Sequence, residues 1–134
     1  MLIPAMTSFE RPSQLTIYVC DNAVHHHRPL CDVIVHRAHE AGLAGATVLR
    51  GIEGFGRAGD IHTTRILDVS DHLPISIVIV DDEAKLRDFV HRNDDLLHGR
   101  LVTLDQLEID PAVTQNVNPV PADGASPRYL SIEK

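Results

Sequence analysis

The residues with the clearest capacity for chemistry lie between positions 50 and 62, in the run Arg50-Gly51-Ile52-Glu53-Gly54-Phe55-Gly56-Arg57-Ala58-Gly59-Asp60-Ile61-His62. Gly54, Gly56 and Gly59 satisfy the G-x-G-x-x-G spacing directly after a strand-like segment. A dinucleotide fingerprint also needs a helix to open inside the motif, so that its N-terminus faces the pyrophosphate. Here the extended-type sequence Ile61-His62-Thr63-Thr64-Arg65-Ile66-Leu67 follows instead, and the Rossmann reading fails on context. What survives is backbone free of side chains, which a phosphate can approach, with Arg50, Arg57 and Arg65 to neutralise it. The same glycines also suit a plain hairpin, and the residues alone leave both readings open. His62 can donate to a phosphate or act as an acid or base, or can stand as an ordinary loop histidine. No Ser, Cys or carboxylate stands at a spacing that marks a nucleophile or triad partner.

A second group is His25-His26-His27, with His36 and His39 on the segment that follows. Imidazoles bind zinc, copper and nickel, but three neighbours on a loop rarely converge on one ion. At 100° per residue, His36 and His39 fall away from the apolar face set by Leu30, so they are expected to face solvent or a neighbouring subunit. Cys20 and Cys31 have no metal-type spacing and read as small buried hydrophobes. Asp81, Asp82 and Glu83 read as charges at the start of a helix, where its dipole favours them. Asp94 and Asp95 read as a solvated face.

These groups must be positioned by one domain, because 134 residues leave no room for two. A hydrophobic content of 43% suffices for a core. No apolar run approaches the roughly 20 residues of a membrane span. Residues 1–11 lack the basic start and apolar stretch of a secretion signal. The expectation is a soluble, cytoplasmic chain. Its net charge of −7 is unevenly placed. Residues 1–67 hold six basic and six acidic residues, whereas residues 68–134 hold six basic and thirteen acidic ones. That acidity repels a phosphate backbone, and with no Trp, two Tyr and three Phe there are few stacking platforms. No nucleic-acid partner is expected.

Period-two alternation predicts a strand over 15–20, after a loose arm over 1–13. A polar loop over 21–28 leads to Pro29, which suits a first helical turn. Leu30, Val33, Ile34, Ala38 and Ala41 then mark a helix that Gly42 stops. Strands are expected over 46–52, 61–69 and 75–80. A second helix, with Leu86, Phe89, Val90, Leu96 and Leu97 on its buried face, should end at Gly99. Residues 101–104 and 107–109 complete the sheet, and a Pro-rich tail runs over 110–134. The order βαββαβ is that of an α+β, ferredoxin-like sandwich, with a domain over 14–109. Both helices of such a sandwich cover the same sheet face. Yet residues 75–80 are apolar on both faces apart from Ser76, so a second copy of the chain is expected over the other face.

Several strings carry a family resemblance: Arg28-Pro29-Leu30, then Ala41-Gly42-Leu43-Ala44-Gly45-Ala46-Thr47-Val48-Leu49-Arg50-Gly51-Ile52-Glu53-Gly54-Phe55-Gly56, then Ile61-His62-Thr63. Together with Leu73-Pro74, Ile79-Val80-Asp81 and Leu101-Val102-Thr103, they resemble the PII-like family called "domain of unknown function 190". The resemblance implies a homotrimer whose sheets face the trimer axis, with small-molecule sites in clefts between subunits. It also implies sensing of adenine nucleotides, with a flexible loop between the second and third strands, here residues 54–73, reporting to a protein partner. A channel or transporter in a membrane is one such partner. The phosphate-loop signature and modified loop tyrosine of true PII proteins are absent.

The combined expectation is a non-enzymatic regulatory protein without a tightly held cofactor or metal. It would bind ATP, ADP, AMP or a similar anion through Arg50, Gly51, Gly54, Phe55, Gly56 and His62, with Arg28 and Arg57 as lesser contributors. Two other readings stand beside it. One is a divalent-metal protein similar to CutA, drawing on the histidine cluster, and the other is a small phosphohydrolase built on His62.

Overall fold

The computed structural model describes residues 9–56, 62–63 and 73–110. Its elements run β1 (Pro12–Cys20), β2 (Val24–His25), β3 (Arg28–Pro29), α1 (Leu30–Glu40), β4 (Ala46–Arg50) and β5 (Glu53–Gly54). They continue with β6 (His62–Thr63), β7 (Pro74–Asp82), α2 (Glu83–Arg92), α3 (Asp94–Leu97) and β8 (Leu101–Gln106). Four strands form one antiparallel sheet in the order β4-β7-β1-β8. This is the expected ferredoxin-like sandwich, with a small β5–β6 ribbon inserted between its second and third long strands.

The register explains the core. Val48, Ile77, Ile17 and Val102 stand abreast across the four strands, and Ala46, Ile79, Leu15 and Leu104 form the next row on the same face. Leu30, Val33, Ile34 and Ala38 of α1, Leu86 and Phe89 of α2, and Leu96 and Leu97 of α3 close over these rows. Fully burying one such aliphatic side chain stabilises the fold by about 1.5–3 kcal/mol, so this face dominates the energetics. The row beyond Val48, Ile77, Ile17 and Val102, made of Leu49, Ser76, Tyr18 and Leu101, lies on the opposite face. There Leu49, Tyr18 and Leu101 are exposed.

Helix α1 ends where the glycine demands it. The Gly42 N–H bonds to the His39 carbonyl at φ +75°, and the Leu43 N–H to the Ala38 carbonyl. Pro29 caps the helix rather than occupying its first turn. The polar stretch before it is a tight hairpin, β2–β3, and not a plain loop. The second helix breaks at Asn93, earlier than expected. The Asn93 side-chain amide donates to the Phe89 carbonyl at 2.7 Å, and its oxygen accepts from Arg37 Nη1 at 3.0 Å. Such local side-chain bonding competes with helix continuation, and α3 carries the chain on to Gly99 at φ +78°.

Three strand limits also differ from expectation. β1 begins at Pro12, because Ser13 is buried opposite Asp81 and the Glu83 N–H bonds to the Arg11 carbonyl. β4 stops at Arg50, where the Gly51 N–H turns to the Pro74 carbonyl at 2.7 Å. β8 runs to Gln106, and residues 107–109 form no strand, although Leu107 N–H still bonds to the Pro12 carbonyl. Of the strand expected over 61–69, only residues 62 and 63 are described, and the tail over 111–134 lies outside the described residues. Among the described residues, no helix is long and apolar enough to cross a membrane.

Asp81 corrects a sequence reading. It is no helix-start charge but the buried end of the Ile75-Ile77-Ile79 stripe, 2% exposed. Its Oδ2 accepts the Ala44 N–H at 2.9 Å and its Oδ1 the Asp82 N–H at 2.6 Å. The carboxylate thereby pins the α1–β4 connection to the end of β7. Asp81→Ala should lower unfolding stability by about 1.5–3 kcal/mol, the range for hydrogen bonds to a charged group. A urea midpoint equal to that of the parent would show that the pin contributes nothing.

Two surface carboxyls are held below their ordinary values. Glu83, ordinarily 4.5, is lowered chiefly by the hydrogen bond from Arg87 and then by that from Gln106. Asp95, ordinarily 3.8, is lowered chiefly by the hydrogen bond from Arg37. A depressed carboxyl contributes stability that is complete above its ordinary value and is lost as pH falls through the folded value. The melting temperature should therefore fall as the pH drops below about 4, and should fall less steeply when Arg37→Gln and Arg87→Gln are combined.

Candidate functional site: a glycine rim at one end of the sheet

Strands β1 and β4 both run antiparallel to β7, so their C-terminal ends meet the start of β7 at one rim of the sheet. Cys20 stands opposite Pro74, and Arg50 opposite Ile75. This places Asp21, Arg50, Gly51 and Pro74 together. The Asp21 N–H donates to the Leu73 carbonyl at 3.0 Å, and its carboxylate takes Arg50 Nη1 at 3.0 Å. Asp21 is largely covered while the Arg50 side chain remains 61% exposed, so the guanidinium is aimed but still open to solvent. An exposed pair of this kind is worth about 0–1 kcal/mol, little enough for an incoming anion to compete for Arg50.

The glycines here have a steric reason. A Cβ on Gly51 would sit 2.7 Å from Pro74 Cγ and 3.3 Å from the Pro74 carbonyl oxygen, and one on Gly54 would sit 2.9 Å from Pro74 Cγ. The chain leaving β4 thus folds flat over the proline ring. Gly56, by contrast, meets nothing within 4 Å and leaves its backbone approachable. Ile52 and Phe55 are 76% and 72% exposed, an apolar pair beside the charged group. The β5–β6 ladder sets Gly54 opposite His62 and Glu53 opposite Thr63. Cys31, at the start of α1, has its thiol pushed up mainly by burial and further by Asp32, with the nearby Arg50 charge acting against this.

Of the residues singled out from sequence, the rim therefore brings together Arg50, Gly51, Gly54, Phe55 and Gly56, with the His62 backbone across the ladder. Arg28 is not among them, since it lines a different concavity with His25, His26 and His36. Arg57 lies outside the described residues. Sequence reasoning missed Asp21 and Pro74. The usable signal was topological: parallel strands joined through α1 must end on the same rim, which sets the residue after β1 beside the last residue of β4. His36 and His39 are exposed, as their helical phase requires. Among the described residues, no group of three or more His, Cys, Asp or Glu is arranged to hold a metal ion.

A model of the DUF190 family, described as "Uncharacterized ACR", matches residues 12–109. The chain belongs to this family. A UPF0166 protein of Aquifex aeolicus is 30% identical over 95 residues, spanning 71% of this chain and 90% of that protein. Another match of the same name and organism is 32% identical over 75 residues, spanning 56% of this chain and 78% of that protein. Among solved structures, one similar fold is CPII, a nitrogen regulatory PII-like protein from Thiomonas intermedia K12 bound to ADP, AMP and bicarbonate. It has a TM-score of 0.54 at 15% identity, with 81% of this chain and 96% of that chain covered. The divalent ion tolerance protein CutA1 from Ehrlichia chaffeensis gives 0.55 at 12% identity, covering 81% and 92%. At such identities the likeness is one of fold. The DUF190 chain thus has the PII-like and CutA1 architecture, and its rim lies on the loop between the second and third long strands.

The contact with Pro74 yields a graded prediction. Gly51→Ala should destabilise by about 1–3 kcal/mol through overpacking, while Gly56→Ala should stay within about 0.5 kcal/mol of the parent. Adding Pro74→Ala to Gly51→Ala should recover part of the loss, a coupling that a double-mutant cycle in urea measures directly. Equal losses at Gly51 and Gly56 would refute the packing argument.

Proposed function

We propose that this DUF190 chain is a non-enzymatic, PII-like regulatory protein. In this reading it works in the cytoplasm as a homotrimer and binds an adenine nucleotide or a related anionic metabolite in the clefts between its subunits. The observation that carries the reading is the rim itself, where Arg50 stands solvent-open against Asp21 beside glycine backbone folded over Pro74. A rim of this kind offers charge and unobstructed backbone to an anion, with Ile52 and Phe55 as apolar surface for a base. The fold shared with CPII, which was crystallised with ADP and AMP, supports the ligand class. The exposed Leu49, Tyr18 and Leu101, which share one row with Ser76, support a copy-to-copy interface on the bare face, because large apolar side chains gathered on one face are costly to leave in water. The free thiols of Cys20 and Cys31 agree with a reducing compartment. The segment between β4 and β7 would carry the signal to a protein partner, a membrane channel or transporter being one candidate class.

Thermal shift against ATP, ADP, AMP, cyclic nucleotides and NAD, with and without magnesium, tests the ligand. A ligand at about 100 times its dissociation constant adds roughly 2.7 kcal/mol to the folded state, a rise of several degrees. Arg50→Ala should abolish that rise, and Asp21→Asn, which frees the guanidinium, should enlarge it. No shift with any nucleotide, or an Arg50→Ala variant that binds like the parent, would overturn the assignment. Light scattering should give the mass of three chains. Stoichiometric zinc or copper uptake in equilibrium dialysis would favour the CutA-like reading instead.

A further inference from the structure

We propose that the groove between the β2–β3 hairpin and α1 is a second ligand site, built for a small oxyanion of the phosphate or sulfate type. The groove has a volume of about 280 Å³ and is separate from the Arg50 rim. Drug-sized sites run to roughly 300–1,000 Å³, so this groove lies at their lower edge and admits a small anion with room to spare.

Its walls are basic on both sides. The hairpin supplies His25, His26 and Arg28, and α1 supplies His36 and Arg37. His25 and Arg28 stand directly opposite each other in the hairpin register, which sets both side chains on one face. The turn between them is His26-His27, both with positive φ, 49° and 67°. That turn brings the His26 ring edge-on to the His25 ring, with centroids 4.2 Å apart, so two imidazoles are held together at the mouth. Arg37 is clamped through one nitrogen, donating to Asn93 Oδ1 and Asp95 Oδ1 at 3.0 Å each. Its direction is thereby fixed before any ligand arrives. Arg28 is exposed and makes no ion pair among the described residues.

The charge and donor set of the groove bear on the ligand. Two guanidinium groups face two carboxylates: Glu40 in the lining, and Asp95 of α3 paired with Arg37. With neutral imidazoles the groove is nearly balanced. The imidazoles of His25, His26 and His36 add ring N–H donors to the two guanidinium groups around the groove. A metal ion would draw on the same imidazoles as ligands, and among the described residues no group of three or more His, Cys, Asp or Glu is arranged to hold one.

Histidine-ring NMR of the full chain tests the site, with sodium sulfate as probe and sodium chloride keeping the ionic strength constant. At about pH 6 the His25, His26 and His36 signals should move saturably while those of His91 and His98 stay still. Arg28→Ala should weaken binding about tenfold at pH 6 with an unchanged melting temperature, and Arg28→Lys should recover part of it. A uniform drift of every histidine signal, or an Arg28→Ala variant that binds sulfate like the parent, would overturn the proposal. So would stoichiometric zinc binding by the same three rings. Because Arg50 does not line this groove, Arg50→Ala should leave sulfate binding intact, which keeps failure here distinct from failure of the nucleotide reading.

Discussion

A slip of one residue of β1 along β7 would carry Leu15, Ile17 and Val19 to the bare face and bury Tyr18 in their place. The two helices have apolar surface for one face only, so a single register satisfies them. The position of the rim follows from that register. It sets Cys20 opposite Pro74 and, through β4, Arg50 opposite Ile75, so Asp21, Arg50 and the glycine turn converge without any dedicated scaffold. Core packing and site geometry are therefore two readings of one pairing.

Much of this was legible in the sequence because the signals are periodic. The alternation along 75–80, the helical recurrence from Leu30 to Ala38 and the stop at Gly42 each translate directly into an element. Where reading failed, a residue had two competing meanings. Asp81 sits between a strand and a helix, and its charge suggested the helix. Extending the strand's period by two would have placed it on the buried stripe with Ile75, Ile77 and Ile79. Asn93 looks like one polar residue on an amphipathic run, yet its side chain bonds to the carbonyl four residues back and ends the helix. The β2–β3 hairpin gave no warning, because its turn has neither glycine nor asparagine. At the rim, Arg50 and the glycines were visible as types, whereas Asp21 and Pro74 became visible only once strand directions were known.

The two basic concavities differ in how their arginines are held. Arg50 is aimed by a carboxylate on its own rim, so a ligand there must compete with Asp21. Arg37 is held by two partners through one nitrogen, Asn93 and the Asp95 carboxylate, while Arg28 stands free among the described residues. Asn93 links the two scales of the fold: the side chain that interrupts the second helix also orients a groove residue on the first.

The two-residue turn of that hairpin has a further consequence for how this sequence divides its tasks. Left-handed backbone at a non-glycine residue costs roughly 1–2 kcal/mol, and Asn-Gly would close the same turn with little strain. His26 and His27 are therefore poor choices for the turn as a turn. Because the hairpin is peripheral to the sheet, that weakness stays local and does not reach the core. The fold thus keeps a region where composition is free of folding requirements, a place where a lineage can trade local order for reactivity without putting the rest of the domain at risk.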